Sequence, residues 1–424
     1  MSREMDIGQK IRHHRRRMKM TQSELSNGII STSYLSKIEN GVIEPPNDVL
    51  ELLSSRLNIK PKTLKDTDHD LYHTWFQILF KGEKEEAISL FKQIDTRLDV
   101  LISATLSNLV EIHKLRYFRL VAEKEKAKEQ YDYLERVSSK FNDKEKYYWL
   151  KFKGDYHYNK LSYNKALLYF QQAEEFTNTD LFNQQDELSD LYFRIASSAS
   201  KLRNTHIALL YSNKALEYFR DSYQLKNCIK CHVLIGISYR RMGYLNKSYD
   251  SHQLAAKIAK MQNDIDALAV CYQNLGNLYS LWEDSSQAIR NYTKSFELRT
   301  DNANILKLIP ITSIMKEYYN HGDLENAEKW LNEGLSLTEN LNPTDSVYVY
   351  KLRVYSHLIK GINGSFEKLI TKEVVPFLDD RQLYYEKFTY LKMLADYYFS
   401  DKKYKKAAVY YSEANTALMN VNKE

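Results

Sequence analysis

The sequence predicts an all-α protein: a five-helix head over residues 1–66, then about nine helix–turn–helix repeats filling 67–424. Three observations predict it. First, one pattern is written four times between Leu150 and Ser295. Second, only 12 Gly and 6 Pro occur in 424 residues, too little turn chemistry for many strands. Third, the charge excess is at the front: residues 1–66 hold 12 Lys+Arg against 8 Asp+Glu, the rest 49 against 47. A small basic head on a nearly neutral body points to a nucleic-acid-binding module attached to something else.

The head reads in order. Asp6 can cap a helix with Ile7, Ile11 and Met18 on one face and Arg12, Arg15, Arg16 and Arg17 on the other. Thr21 and Glu24 form a capping box that starts a second helix, ended by Gly28. Ser31 or Thr32 starts a third, closed by Asn40-Gly41. Pro45-Pro46 introduces a fourth with Val49, Leu50, Leu53 and Leu57 on one side, and Pro61 opens a last short turn. The run from Thr21 to Gly41, above all Tyr34-Leu35-Ser36-Lys37-Ile38-Glu39-Asn40-Gly41, resembles the phage-repressor (XRE-type) helix-turn-helix. The resemblance implies that the third helix enters the major groove. Thr32, Ser33, Tyr34, Ser36 and Lys37 then become candidate DNA readers, and Gln22 a phosphate contact. Leu25, Leu35 and Ile38 are core, with Glu39 a structural partner. Beside this motif Arg15 and Arg16 are candidate phosphate contacts. One such module makes few phosphate contacts, so a homodimer on a palindromic operator is expected.

In the repeats Ala166, Ala208, Ser248 and Ala288 each lie twelve residues after a small residue: Gly154, Ala196, Gly236 and Gly276. Four residues on come Phe170, Ser212, His252 and Tyr292, and seven on Ala173, Ala215, Ala255 and Ser295. A small residue must face a large one where antiparallel helices cross closely. The pattern resembles the tetratricopeptide repeat, which implies a right-handed superhelix. The units recur every 39–42 residues against the usual ~34, so extended inter-repeat turns are expected. Degenerate copies flank the centre: Trp75, Ala87, Phe91 and Ile94; Leu115, Ala127, Tyr131 and Leu134; Met315, Ala327, Leu331 and Gly334. An eighth around Val354 and Phe366 is poor, interrupted by Pro376. The ninth is good: Ala395, Tyr398, Ala407, Tyr411 and Ala414.

In such an array the first helices line a groove. Gln273, Asn274 and Asn277 fall on one groove-lining turn, and an amide that both donates and accepts can clamp an extended peptide backbone. Arg116, Lys316, Lys351 and Tyr355 are further candidate peptide contacts. Lys151, Asp155, Arg194, Lys392 and Asp396 occupy groove positions too. A helix-turn-helix head on a peptide-binding repeat body is similar to the RRNPP family of peptide-pheromone receptors, over the whole chain and most of all to NprR-type members. The resemblance implies a quorum-sensing transcription regulator that binds an imported signalling peptide and changes oligomeric state and DNA binding. It implies a dimer, or a tetramer with peptide. It also implies a second, Rap-like role, inhibition of a sporulation response regulator in the peptide-free form.

The remaining features exclude more than they add. No Gly-rich phosphate loop, H-E-x-x-H or nucleophile elbow is present, so no enzyme, cofactor or metal is expected. Cys228 and Cys231 form a C-x-x-C in a helical pattern without a second pair, which fits buried, inert thiols. Residues 1–10 lack a signal peptide's apolar core, and no run approaches ~18 apolar residues. A cytoplasmic protein with no membrane partner is expected. The competing reading is a constitutive DNA-binding repressor whose repeats only dimerise or recruit a protein.

Overall fold

The computed structural model describes residues 7–58, 69–95, 104–177, 185–299, 304–339, 341 and 346–421. The fold is all-α, a helix-turn-helix head followed by a helical-repeat array, and among the described residues there is no strand. No helix among them is long and apolar enough to cross a membrane. Two compact units divide the chain, 1–152 and 153–424. Asp6, Pro61 and the expected joint at 66/67 lie outside the described residues.

The first unit opens with α1 (Ile7–Arg17), α2 (Gln22–Ser26), α3 (Thr32–Glu39) and α4 (Asn47–Arg56). Thr21 accepts from the Glu24 backbone N–H at 3.1 Å while Glu24 Oε2 accepts from the Thr21 N–H at 2.6 Å, the reciprocal cap the spacing predicts. Ser31, rather than Thr32, caps α3 through the Tyr34 N–H. Ile11, Leu25, Leu35, Ile38, Leu50, Leu53 and Leu57 form the core. Met18, expected on the inner face of α1, is 46% exposed. Gly8 was not singled out by sequence, yet a Cβ there would fall 1.6 Å from the Ile38 carbonyl oxygen. Only glycine lets α1 cross α3 this closely.

From His69 onward the described residues form nine helical hairpins. In the centre, five helices of 17 residues follow one another: Gln185–Lys201, Thr205–Asp221, Leu225–Arg241, Leu245–Met261 and Ile265–Leu281. They are joined by turns of only three residues, 202–204, 222–224, 242–244 and 262–264. In this central stretch the expected extended turns are absent and the long period lies in the helices themselves, whereas residues 175–184 separate Tyr163–Glu174 from Gln185–Lys201 and 337–346 separate Leu324–Ser336 from Val347–Lys360. Each of these four turns, and the next one at 282–284, holds one left-handed residue, Arg203, Tyr223, Gly243, Asn263 and Glu283, at intervals of twenty. Each also closes with an N–H to a carbonyl five residues back, such as Asn204 to Ala199 at 2.9 Å and Asp264 to Ala259 at 2.9 Å. Within this stretch, connections within and between repeats are thus the same turn.

The repeat pattern works as its volumes require. A Cβ on Gly154 would meet Phe170 at 2.5 Å, one on Gly236 His252 at 2.5 Å, and one on Gly276 Tyr292 at 2.5 Å. Ser212, the large-position residue facing Ala196, is fully buried. In the eighth hairpin Ser365–Lys368 and Val375–Asp380 are α-helical, and Leu369–Val374 between them is a π-helix. Pro376 cannot donate a backbone hydrogen bond, which breaks the regular ladder at this point.

Within the second unit, early and late repeats touch. Asn164 Nδ2 donates to Gln382 Oε1 at 2.7 Å, and Tyr163 joins a cluster with Tyr350, Phe366, Phe377 and Leu383. Cys228, Cys231 and Cys271 are free and buried, and burial pushes the Cys231 and Cys271 thiols up to about 12.

Candidate functional site

Helix α3 divides cleanly into an inner and an outer face. Leu35 and Ile38 are fully buried and Glu39 is 1% exposed, whereas Thr32, Ser33 and Lys37 are exposed and Tyr34 and Ser36 half-buried. At 100° per residue, positions 32, 33, 36 and 37 occupy one arc. Its hydroxyls and single ammonium are chemistry that hydrogen-bonds to base edges and phosphates. Thr32 Oγ1 also lies 3.3 Å from Ser26 Oγ, tying the start of α3 to α2.

What aims this face is an ionic knot behind it. Arg15 donates from Nε to Glu39 Oε1 at 2.6 Å, from Nη2 to Oε2 at 2.9 Å and from Nη1 to the Met20 carbonyl at 2.8 Å. Gln22 Nε2 donates to Glu39 Oε2 at 2.7 Å. Burial alone would raise the Glu39 carboxyl, but the bonds from Arg15 and Gln22 outweigh it and hold it below its ordinary value. Arg15 therefore departs from the expectation of a phosphate contact: it is 9% exposed, with its fork filled by Glu39. Arg16 beside it is exposed. Gln22 keeps its place at the start of α2, its side chain oriented by Glu39. Glu39 is the structural partner expected.

In the second unit, three first helices present a polar strip: Ile265–Leu281, Asn304–Asn320 and Val347–Lys360. Gln273 Nε2 donates to Ser313 Oγ at 2.9 Å, bridging the first two. Lys351 Nζ donates to Thr312 Oγ1 at 3.3 Å, bridging the second and third. Lys316 is exposed on the middle helix. Burial, then the charge of Lys316, pushes the Lys351 ammonium down to about 7. Gln273, Lys316 and Lys351 are thus brought together. The second-row partners Ser313 and Thr312 were not anticipated, although Ser313 is Gln273 advanced by one 40-residue period.

The three amides of the central turn are not equivalent. Asn274 donates back to the Val270 carbonyl of its own helix at 2.9 Å and is 7% exposed, so it braces the helix. Asn277 is half-buried and accepts from the Tyr292 hydroxyl at 3.0 Å, a bond that leaves its amide hydrogens to donate elsewhere. Gln273 carries a buried Oε1 with no hydrogen-bond partner. An amide donor one turn from an unfilled amide acceptor suits a peptide backbone, which offers both groups in alternation.

Two expected contacts are corrected. Tyr355 is 3% exposed in a core cluster with Leu308, Met315, Leu331 and Leu352, edge-on to Tyr319, so it packs rather than lines an open face. Arg116 lies in the first unit, while the other candidates lie in the second. It donates to the Phe80 carbonyl at 3.0 Å and sits over the Phe80 and Phe152 rings. The charged groove positions around these residues pair among themselves. Arg194 bonds Asp155 and Asp190, and Lys392 bonds Asp396 at 2.8 Å.

A helix-turn-helix family profile matches residues 11–64. The chain is 30% identical over 405 residues, 94% of its length and 99% of the relative's, to the transcriptional activator NprA of Geobacillus stearothermophilus. It is 24% identical over 273 residues, 63% of its length and 69% of the relative's, to response regulator aspartate phosphatase A of Bacillus subtilis (strain 168). Among solved structures, NprR in complex with its cognate peptide NprX superposes with a TM-score of 0.69 at 20% identity, covering 84% of this chain and all of that one.

Proposed function

This chain belongs to the RRNPP family of peptide-pheromone receptors, and from that premise we propose that it is a cytoplasmic quorum-sensing transcription regulator. An imported signalling peptide binds the repeat groove and switches oligomeric state and DNA binding. The observation that carries the reading is the strip from Gln273 through Ser313 and Thr312 to Lys351, with Asn277 beside it, in a chain whose head carries an outward α3 face. A protein built only to dimerise has no use for an unfilled amide acceptor in its groove.

The head, as a homodimer, reads a palindromic operator through Thr32, Ser33, Tyr34, Ser36 and Lys37, with Arg16 and Gln22 at the phosphates. Gln273, Asn277, Lys316 and Lys351 hold the peptide. The peptide acts by preferring one arrangement of the repeats, which re-spaces the two heads. A decisive switch needs a preference of roughly 10⁴-fold, about 5.5 kcal/mol. With peptide the dimer becomes a tetramer. The likeness to an aspartate phosphatase that bears on response regulators supports a second, Rap-like role in the peptide-free form. In that role a response-regulator protein is the partner and the chain contributes no catalytic residue of its own.

Light scattering on a sizing column, with and without peptides encoded beside the gene, tests the reading alongside operator binding. A peptide-dependent change in mass together with altered operator affinity is expected. Intact operator binding that no peptide alters in mass or affinity would favour the constitutive repressor.

A further inference from the structure

Three arginines meet where two first helices of the second unit end. Arg240 and Arg241 close Leu225–Arg241, and Arg203 follows Gln185–Lys201 by one turn. Arg203 lies over the Tyr385 ring at 3.3 Å, and Arg241 Nη1 donates to the Ser200 carbonyl at 2.5 Å. A cation at a helix C-terminus is ordinary, and Arg241 bonding a terminal carbonyl fits that account. Arg240 does not: it makes no hydrogen bond among the described residues, and its Nε is buried without a partner, as is that of Arg241.

The charges are also unbalanced. None of the three arginines pairs with a carboxylate among the described residues, and Glu386 is the one acid whose charge reaches Arg241. Burial first, then Arg203 and Arg240, pushes the Arg241 guanidinium down to about 9. Three like charges in a partly desolvated corner cost free energy, which the Tyr385 ring, the Ser200 carbonyl and the charge of Glu386 offset without a directly paired carboxylate. Arg240 has one more neighbour of interest. Its charge acts on Tyr292, whose hydroxyl donates to Asn277. Helix Leu225–Arg241 also packs against Ile265–Leu281, which carries Asn277, so the arginine corner ends a helix next to the one that bears the amides assigned to the peptide groove.

We propose that Arg240, supported by Arg203 and Arg241, receives a carboxylate of the bound peptide, either its C-terminus or an Asp or Glu side chain. The inference rests on the peptide-receptor reading and sharpens it to an acidic ligand. A planar guanidinium fork matches a carboxylate with two parallel N–H donors, which an ammonium cannot. The Asn277 amide, on the neighbouring first helix and held by Tyr292, then holds backbone, while the arginines fix register and direction.

The test uses the full chain, immobilised, and three synthetic heptapeptide pools read by mass spectrometry of retained peptides. One pool has free C-termini, one is the same pool amidated, and one has free C-termini but lacks Asp and Glu. We expect at least a tenfold loss of retention in the amidated pool if the α-carboxylate is recognised. The same loss is expected in the Asp/Glu-free pool if a side chain is. Arg240→Met should erase that preference, and Arg240→Lys should keep part of it, both with melting curves recorded to establish folding. Equal retention of all three pools by the unaltered protein would overturn the proposal while leaving the peptide reading intact. So would a folded Arg240→Met protein with undiminished preference. Retention of no peptide from any pool would remove the peptide reading itself, and this inference with it.

Discussion

The imidazole of His252 fills the space that a Cβ on Gly236 would need, the two coming within 2.5 Å. Phe170 and Tyr292 do the same at Gly154 and Gly276. His252 is fully buried and neither ring nitrogen has a hydrogen-bond partner. Burying unpaired polar atoms is costly, and a phenyl ring fills the same space without them. His252→Phe should raise the urea midpoint, worth about 1 kcal/mol, whereas Gly236→Ala should lower stability by about 1–3 kcal/mol through overpacking. A destabilised His252→Phe protein would mean that the imidazole has a partner after all.

Acid should unfold the protein partly through two histidines. Burial pushes His113 and His252 each down to about 3. The unfolded chain takes up these protons near pH 6.5, so it binds more protons than the fold below that pH. The stability contribution is complete above about pH 6.5 and is lost as pH falls towards 3. Each histidine adds a slope of about 1.4 kcal/mol per pH unit in that window. Melting curves of His252→Phe between pH 4 and 7 should show a shallower slope than the unaltered protein.

Arg15 and Arg16 should separate in salt titrations. Arg15 is locked to Glu39, so Arg15→Met leaves a buried carboxylate unpaired and should destabilise the head by about 3–5 kcal/mol. Where the head stays folded, the salt dependence of operator binding should be unchanged. Arg16→Ala should leave folding alone and lower the slope of log K against log salt by about 0.9.

Gly8→Ala should unfold the head. Its Cβ would fall 1.6 Å from the Ile38 carbonyl oxygen, and backbone cannot step aside as a side chain can. Operator binding should be lost together with the protection of α3 amides in hydrogen exchange, while the repeats keep their own protection.

How far the sequence revealed this architecture depended on the separation of the residues involved. The small–large register from Gly154 to Phe170 or Gly276 to Tyr292 lies within one hairpin, so volume complementarity shows as local spacing. The Thr21–Glu24 cap was legible for the same reason. The inward turn of Arg15 was not, because its partner Glu39 is 24 residues away and three consecutive arginines read as one solvated stripe. The burial of Tyr355 depends on Leu308 and Leu331 in the preceding hairpin. The bond from Asn164 to Gln382 spans 218 residues and has no local signature at all. In the central stretch the turn lengths misled because left-handed positions are held by Arg203, Tyr223 and Glu283 where glycine would have announced them.

That twenty-residue beat of left-handed turns has an implication for how such a chain can change. One residue added inside a helix swings everything after it by about 100° and carries Gln273-type positions off the wall they share with Ser313. Between Arg203 and Glu283 the array therefore keeps its wall only when it grows or shrinks in whole graduations, like a ruler that cannot be lengthened by a fraction of its unit.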